Sequence, residues 1–145
     1  MAKFQVEFVT AEGRVLSQEA DFVVAPGIDG ELGVLPRHIP LLTPLTTGEV
    51  MVRNDGHEER IYVSGGFLEV LPERVVILAD DAERAEDIDE SRAEAARQRA
   101  KELLDRDEGN AEAAAQLEAA MFRLRVADIR RRRRGDHAGG PPSQQ

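Results

Sequence analysis

The apolar residues of this 145-residue chain follow one period up to about Ala79 and another beyond about Asp81. Phe4, Val6 and Phe8 alternate with Gln5 and Glu7, the spacing of a strand with one buried face. Similar short runs recur at 21–25, 49–53, 59–63, 67–70 and 75–78. Turn chemistry separates them at Ala11-Glu-Gly, Pro26-Gly-Ile-Asp-Gly, Asn54-Asp-Gly and Leu71-Pro-Glu. Short strands with no helical pattern between them predict an antiparallel sandwich or barrel.

After Ile88 no proline occurs until Pro141, and Ala, Glu, Arg and Leu dominate. Ile88, Arg92, Ala95, Ala96, Arg99, Ala100, Leu103 and Leu104 recur at helical spacing, as do Ala113, Leu117, Ala120, Met121, Leu124 and Ala127. Between them Asp107-Glu-Gly-Asn110 breaks the pattern, with Gly109 suited to end one helix and Asn110 to cap the next. A break this short makes the helices antiparallel neighbours. The chain therefore reads as α+β: an antiparallel β-sandwich over residues 1–84, a two-helix hairpin over 85–134, and a disordered tail over 135–145. Alanine buries little area, so a hairpin packed on alanines gains little from docking. Helices of this length are marginal alone. The sandwich is expected to be the stable part and the hairpin the movable one.

Charge and composition narrow the function. The net charge of −9 argues against general nucleic-acid binding. It is unevenly spread: residues 80–108 carry twelve acids against six bases, whereas residues 123–134 carry seven arginines and one aspartate. Such asymmetry points to segments that face different partners. With no cysteine there is neither a disulfide nor a Cys-based metal site, and no apolar run is long enough to span a bilayer or serve as a secretory signal. A soluble, intracellular protein is expected. His38, His57 and His137 form no pair with ligand spacing, Ser64-Gly-Gly is not a nucleophile elbow, and no phosphate loop or dinucleotide fingerprint is present. No set of residues reads as catalytic or metal-binding.

Three stretches carry more information: Gly30-Glu-Leu-Gly-Val-Leu-Pro-Arg-His-Ile-Pro-Leu42, Val63-Ser-Gly-Gly-Phe-Leu-Glu-Val70, and Ala82-Glu-Arg-Ala-Glu-Asp-Ile-Asp-Glu-Ser-Arg-Ala93. Taken on residue types, the first shapes loops between strands. The second permits a tight bend or bulge before a core strand. In the third, Asp87 reads as a helix cap with Glu90 at the third helical position, as in a capping box, and acids there suit the helix dipole. In this order and spacing the three resemble the epsilon subunit of bacterial F-type ATP synthases, over residues 3–130.

That resemblance implies a non-catalytic stalk subunit at the cytoplasmic face of the cell membrane, held there only through the complex. It implies contact with the gamma subunit, the ring of c subunits, and the catalytic beta and the alpha subunits. Glu31, Leu32 and Leu42 would face the ring and stalk, and His38 the gamma subunit. No cofactor is required, but ATP is implied as a regulatory ligand between sandwich and hairpin. Glu83, Ile88, Asp89 and Ala93 would surround adenine and ribose, and Arg92, Arg99 and Arg123 would face the phosphates. Ala119 stands where ATP-binding relatives carry a further arginine, which implies weaker binding. The run Arg130, Arg131, Arg132, Arg133 and Arg134 reads as a solvated helix end favoured by the dipole. The run lies outside the pattern the resemblance covers; its functional reading is a contact to acidic surface of the catalytic subunits when the hairpin extends, the state the resemblance implies inhibits ATP hydrolysis. The competing readings are a free-standing nucleotide-sensing adaptor and, on the arginine run alone, an RNA-binding tail with salt-dependent affinity.

Overall fold

A computed structural model describes residues 2–138. The period-two segments become strands β1 (Phe4–Thr10), β2 (Gly13–Ala20), β3 (Phe22–Gly27), β4 (Gly30–Val34), β5 (Leu41–Asn54), β6 (His57–Val70), β7 (Arg74–Leu78) and β8 (Ala82–Arg84). They join edge to edge in the order β2-β1-β7-β6-β5-β3-β4, and β8 pairs with β6 off that path. The alternating residues close on one core, in which Val6, Phe8, Val23, Val50, Ile61, Val63, Leu68, Val75 and Ile77 are fully shielded.

Sheet pairing departs from the sequence reading in three ways. First, β1 runs parallel to β7, Val6 beside Val75 and Phe8 beside Ile77, so the sheet is not wholly antiparallel. The whole length of the sandwich separates these two strands in sequence, and no tight hairpin fixes their direction. Second, β2 and β4 are strands that the apolar pattern did not reveal. A register shift at Phe8/Val9 interrupts the alternation across β1 and β2, and β4 is an end strand with two glycines.

Third, the runs at 59–63 and 67–70 belong to one strand. Gly65 and Gly66 lie between them at φ +103° and +120°, yet the register with β5 holds from Asn54↔His57 to Leu41↔Val70. They make a bend without a bulge. A Cβ on Gly66 would sit 1.8 Å from the Leu78 carbonyl oxygen, so only glycine lets β7 pass there. Past the bend β6 pairs with β7, and before it with β8. Ser64 holds the crossover: the Asp81 N–H donates to its Oγ at 2.7 Å.

The hairpin consists of α1 (Glu90–Arg106) and α2 (Ala111–Ala138). Asp87 does not cap α1. Residues Ala85–Asp87 tighten into a 3-10 turn and Ile88 is extended, which delays the helix. Asp89 is the cap, accepting the Arg92 N–H at 3.1 Å, and Glu90 is the first helical residue rather than the third. Nor does Gly109 end α1. The helix stops at Arg106, and the Asp107 N–H bonds to the Leu103 carbonyl. Asn110 caps α2 as expected, its Oδ1 accepting the Ala113 N–H at 3.0 Å. Backbone helix runs on to Ala138, past the expected end at 134, and the rest of the expected tail, 139–145, lies outside the described residues.

Ala93 and Ala100 on α1, and Ala113, Ala120 and Ala127 on α2, are buried at seven-residue spacing. Small side chains at that interval let two antiparallel helices approach closely along one seam. Leu103 and Met121, also on the expected stripe, are exposed. The inner helix is α2, which lies on β5, β6 and the 3-10 turn, while α1 packs chiefly on α2.

Candidate functional site

Between the sandwich edge and the hairpin lies a cleft of about 920 Å³. The sandwich contributes Thr47, Tyr62, Ser64, Asp81 and Glu83, the junction Asp87 to Asp89, and the helices the remaining wall. Glu83, Ile88, Asp89, Arg92, Ala93, Arg99 and Arg123 all line this one cleft, although forty residues separate the first from the last. Arg123 is held at its floor: the guanidinium sits 4.5 Å from the centre of the Tyr62 ring, and Nε donates to Glu83 Oε2. Burial is the largest single influence on Arg123 and opposes its charge, but the Glu83 hydrogen bond and the neighbouring Tyr62, Glu83 and Asp81 together outweigh it, and the pKa is raised. Burial likewise pushes the Tyr62 phenol above its ordinary range, with Arg123 pulling the other way.

Arg92 and Arg99 are exposed on α1, and no ion pair among those described engages either of them. Asp89 spends Oδ1 on the helix cap, leaving Oδ2 for another donor. The lining holds five carboxylates (Asp81, Glu83, Asp87, Asp89 and Glu112) against three arginines, so an anion is welcome only on the arginine side. Ala119 is part of that wall and brings no charge.

Elsewhere on the sandwich, Ile28, Leu35, Ile39, Leu41, Leu42, Phe67 and Leu78 are exposed. Pro44, Phe67 and Leu78 are direct cross-strand partners on β5, β6 and β7, and the Ile28 N–H bonds to the Pro44 carbonyl at 3.2 Å, which brings Ile28, Phe67 and Leu78 together around Pro44. Of the four residues expected there, Leu42 is 65% exposed and Glu31 is exposed, whereas Leu32 packs against the core. His38 is turned inward, edge-on to Phe4, its ring nitrogens against the Leu35 and Leu71 carbonyls. In the arginine run, Arg130, Arg131 and Arg132 pair with acids of this same chain. The side chains of Arg133 and Arg134 lie outside the described ones.

The family described as ATP synthase, delta/epsilon chain, beta-sandwich domain matches residues 3–85, and its long alpha-helix domain matches residues 86–128. The chain belongs to the ATP synthase delta/epsilon family. Among relatives named ATP synthase epsilon chain, the one from Dehalococcoides mccartyi is 51% identical, covering 91% of this chain and 97% of its own length. That from Herpetosiphon aurantiacus is also 51% identical, covering 89% and 97%. A chain of the Euglena gracilis mitochondrial ATP synthase, in a cryo-EM structure of its OSCP/F1/c-ring assembly, shares the fold at TM-score 0.70 and 21% identity, over 90% of this chain and 82% of that one. One from the Tetrahymena thermophila central stalk and c-ring does so at 0.56 and 14%, over 87% and 97%.

Sequence reasoning about this delta/epsilon chain missed Tyr62, Asp81 and Glu112 in the cleft and most of the apolar patch. Tyr62 reads as one more β residue, and no local pattern foretells that α2 will lay a cation on its ring. Ile28, Leu35 and Ile39 sit in loops, where periodicity carries no signal. No helix among the described residues is long and apolar enough to cross a membrane.

Proposed function

We propose that this delta/epsilon-family chain is a non-catalytic subunit of the central stalk of a rotary F-type ATP synthase, coupling the catalytic head to the membrane rotor. The apolar patch would dock the sandwich on the gamma subunit and the c ring, with Leu42 and Glu31 in the contact. That a face with Ile39 84% exposed is too apolar to be left to water supports this reading. The complex would sit at the cytoplasmic face of the membrane, which this chain touches only through its partners. Extension of the hairpin along gamma, with the arginine run against acidic surface of the beta and alpha subunits, would inhibit ATP hydrolysis.

ATP is the proposed regulatory ligand of the closed form, and the assembly of the seven candidate residues around one cleft carries that reading. Asp89 Oδ2 would accept from the adenine amino group beside Ile88 and Ala93. Arg92 and Arg99 match phosphate oxygens bidentately. Arg123 must share itself between Glu83 and the phosphates, and Glu83 can turn its other oxygen to the ribose. With Ala119 in the wall and carboxylates in excess, binding is weak. Calorimetric titration of ATP into the full chain tests this: the parent binds measurably, and Ala119→Arg binds more tightly by adding a charge-assisted contact. If neither takes up ATP, the ligand is wrong. A free-standing adaptor, by contrast, would fail to co-purify with gamma subunit in a pull-down.

A further inference from the structure

Past the cleft, α2 runs back alongside the start of α1 and makes contacts that neither docking nor nucleotide binding uses. Arg130 Nη2 lies 3.6 Å from Glu86 Oε2 in the 3-10 turn. Arg131 Nη1 donates to Glu90 Oε2, in the first turn of α1, at 2.8 Å. Asp128 aims the group from within α2, accepting from Arg131 Nη2 at 2.8 Å and lying 3.0 Å from Arg132 Nε. Glu86 and Arg130 border a small cavity that Ile61, Ala85, Ile129 and the fully buried Val126 also line, among further charged residues, so that pair closes over a partly apolar hollow.

We propose that Arg130 and Arg131 are a latch that fastens the hairpin in its closed form. Residues 85–89 are the covalent junction between sandwich and hairpin, so any departure of the hairpin must pivot there. The latch ties the end of α2 to that pivot across 44 residues from Glu86 and 41 from Glu90. Both pairs exist only when α2 folds back. Single exposed ion pairs contribute little, but the seam they guard is made of alanines, so a small contribution decides the closed fraction. The same arginines would meet the catalytic subunits in the extended form. The run then exchanges partners: internal acids when closed, external acids when open. The latch does not rest on the nucleotide reading, but it rests on the proposed movement of the hairpin.

Amide hydrogen exchange on the full chain, without nucleotide, tests the latch. At low salt, Arg130→Gln/Arg131→Gln should speed exchange across residues 113–127 roughly two- to tenfold and leave the β1 and β7 amides unchanged. At about 1 M salt, where the screening length falls to about 3 Å, parent and variant should converge. Arg131→Gln and Glu90→Gln should not add in full: the Arg131–Glu90 pair is lost in either, so the double variant should exchange more slowly than the sum of the two effects requires. Additive effects, a difference unchanged by salt, or variants that exchange like the parent would each overturn the latch.

Discussion

Asp89 shows how one side chain can satisfy two readings that the sequence kept apart. The Asp87-to-Glu90 spacing fits a capping box, but a 3-10 turn, invisible to that pattern, moves the cap to Asp89, the residue whose motif also points to a ligand. Asp89→Ala therefore removes both the cap, at a cost of about 1 kcal/mol, and any ligand contact. Asn caps as well as Asp but turns an amide toward the cleft. Asp89→Asn should keep the helicity and melting of the parent while losing ATP affinity, whereas Asp89→Ala should lose both, read by circular dichroism and calorimetry side by side. Tyr62 offers a second test at this scale, since it is the sole tyrosine of a chain without tryptophan. Burial raises its pKa above the ordinary 10.0. A raised pKa favours the protonated form in the folded state. The stabilisation it gives is complete below pH 10.0 and fades as pH climbs through the folded value. Phenolate absorbance should rise at higher pH in the native chain than in denaturant. Coincident curves would place the ring in water.

Elements were legible where a period ran unbroken and illegible where geometry interrupts it. The alanine stripe foretold both helices and, on α2, the seam at Ala113, Ala120 and Ala127, but on α1 it held Ala100 and not the buried Ala93. It overstated Leu103 and Met121, because a seam of small residues leaves room for only a narrow line of contact. Ala120, fully buried, sits on that line. Ala120→Leu should force the helices apart at a cost of about 1–3 kcal/mol and lower the melting of helical signal while the sheet signal holds. In β6 the interruption was the Gly65-Gly66 bend, read as a boundary between strands although the register continues through it. A side chain at Gly66 meets both a left-handed φ and the Leu78 carbonyl. Gly66→Ala should thus destabilise the sheet by more than the roughly 1–3 kcal/mol of backbone strain alone. The check is urea denaturation followed at a sheet wavelength.

At the scale of the molecule, the change of period predicts where stability resides, and the packing gives the reason. The main buried cluster runs from Phe4 to Ala79 and draws no member from either helix. The hairpin rests on the outer side of that sheet, through Arg123 on Tyr62, Phe122 near Gly48, and ion pairs such as Arg125 with Glu49. These contacts cover the sandwich without entering its interior. A fragment of residues 1–85 should therefore fold, keeping the β1–β7 and β5–β6 pairings and the apolar patch of Leu42, Phe67 and Leu78, which lies on strands the hairpin's absence leaves paired. It should still capture the gamma subunit in a pull-down, and its single tyrosine, stripped of α2, should titrate closer to 10.0 than in the full chain. Loss of sheet signal in the fragment would mean that the helices supply stability their alanine seam gives no sign of. A folded fragment that ignores gamma would instead move the docking surface from the apolar patch to the hairpin.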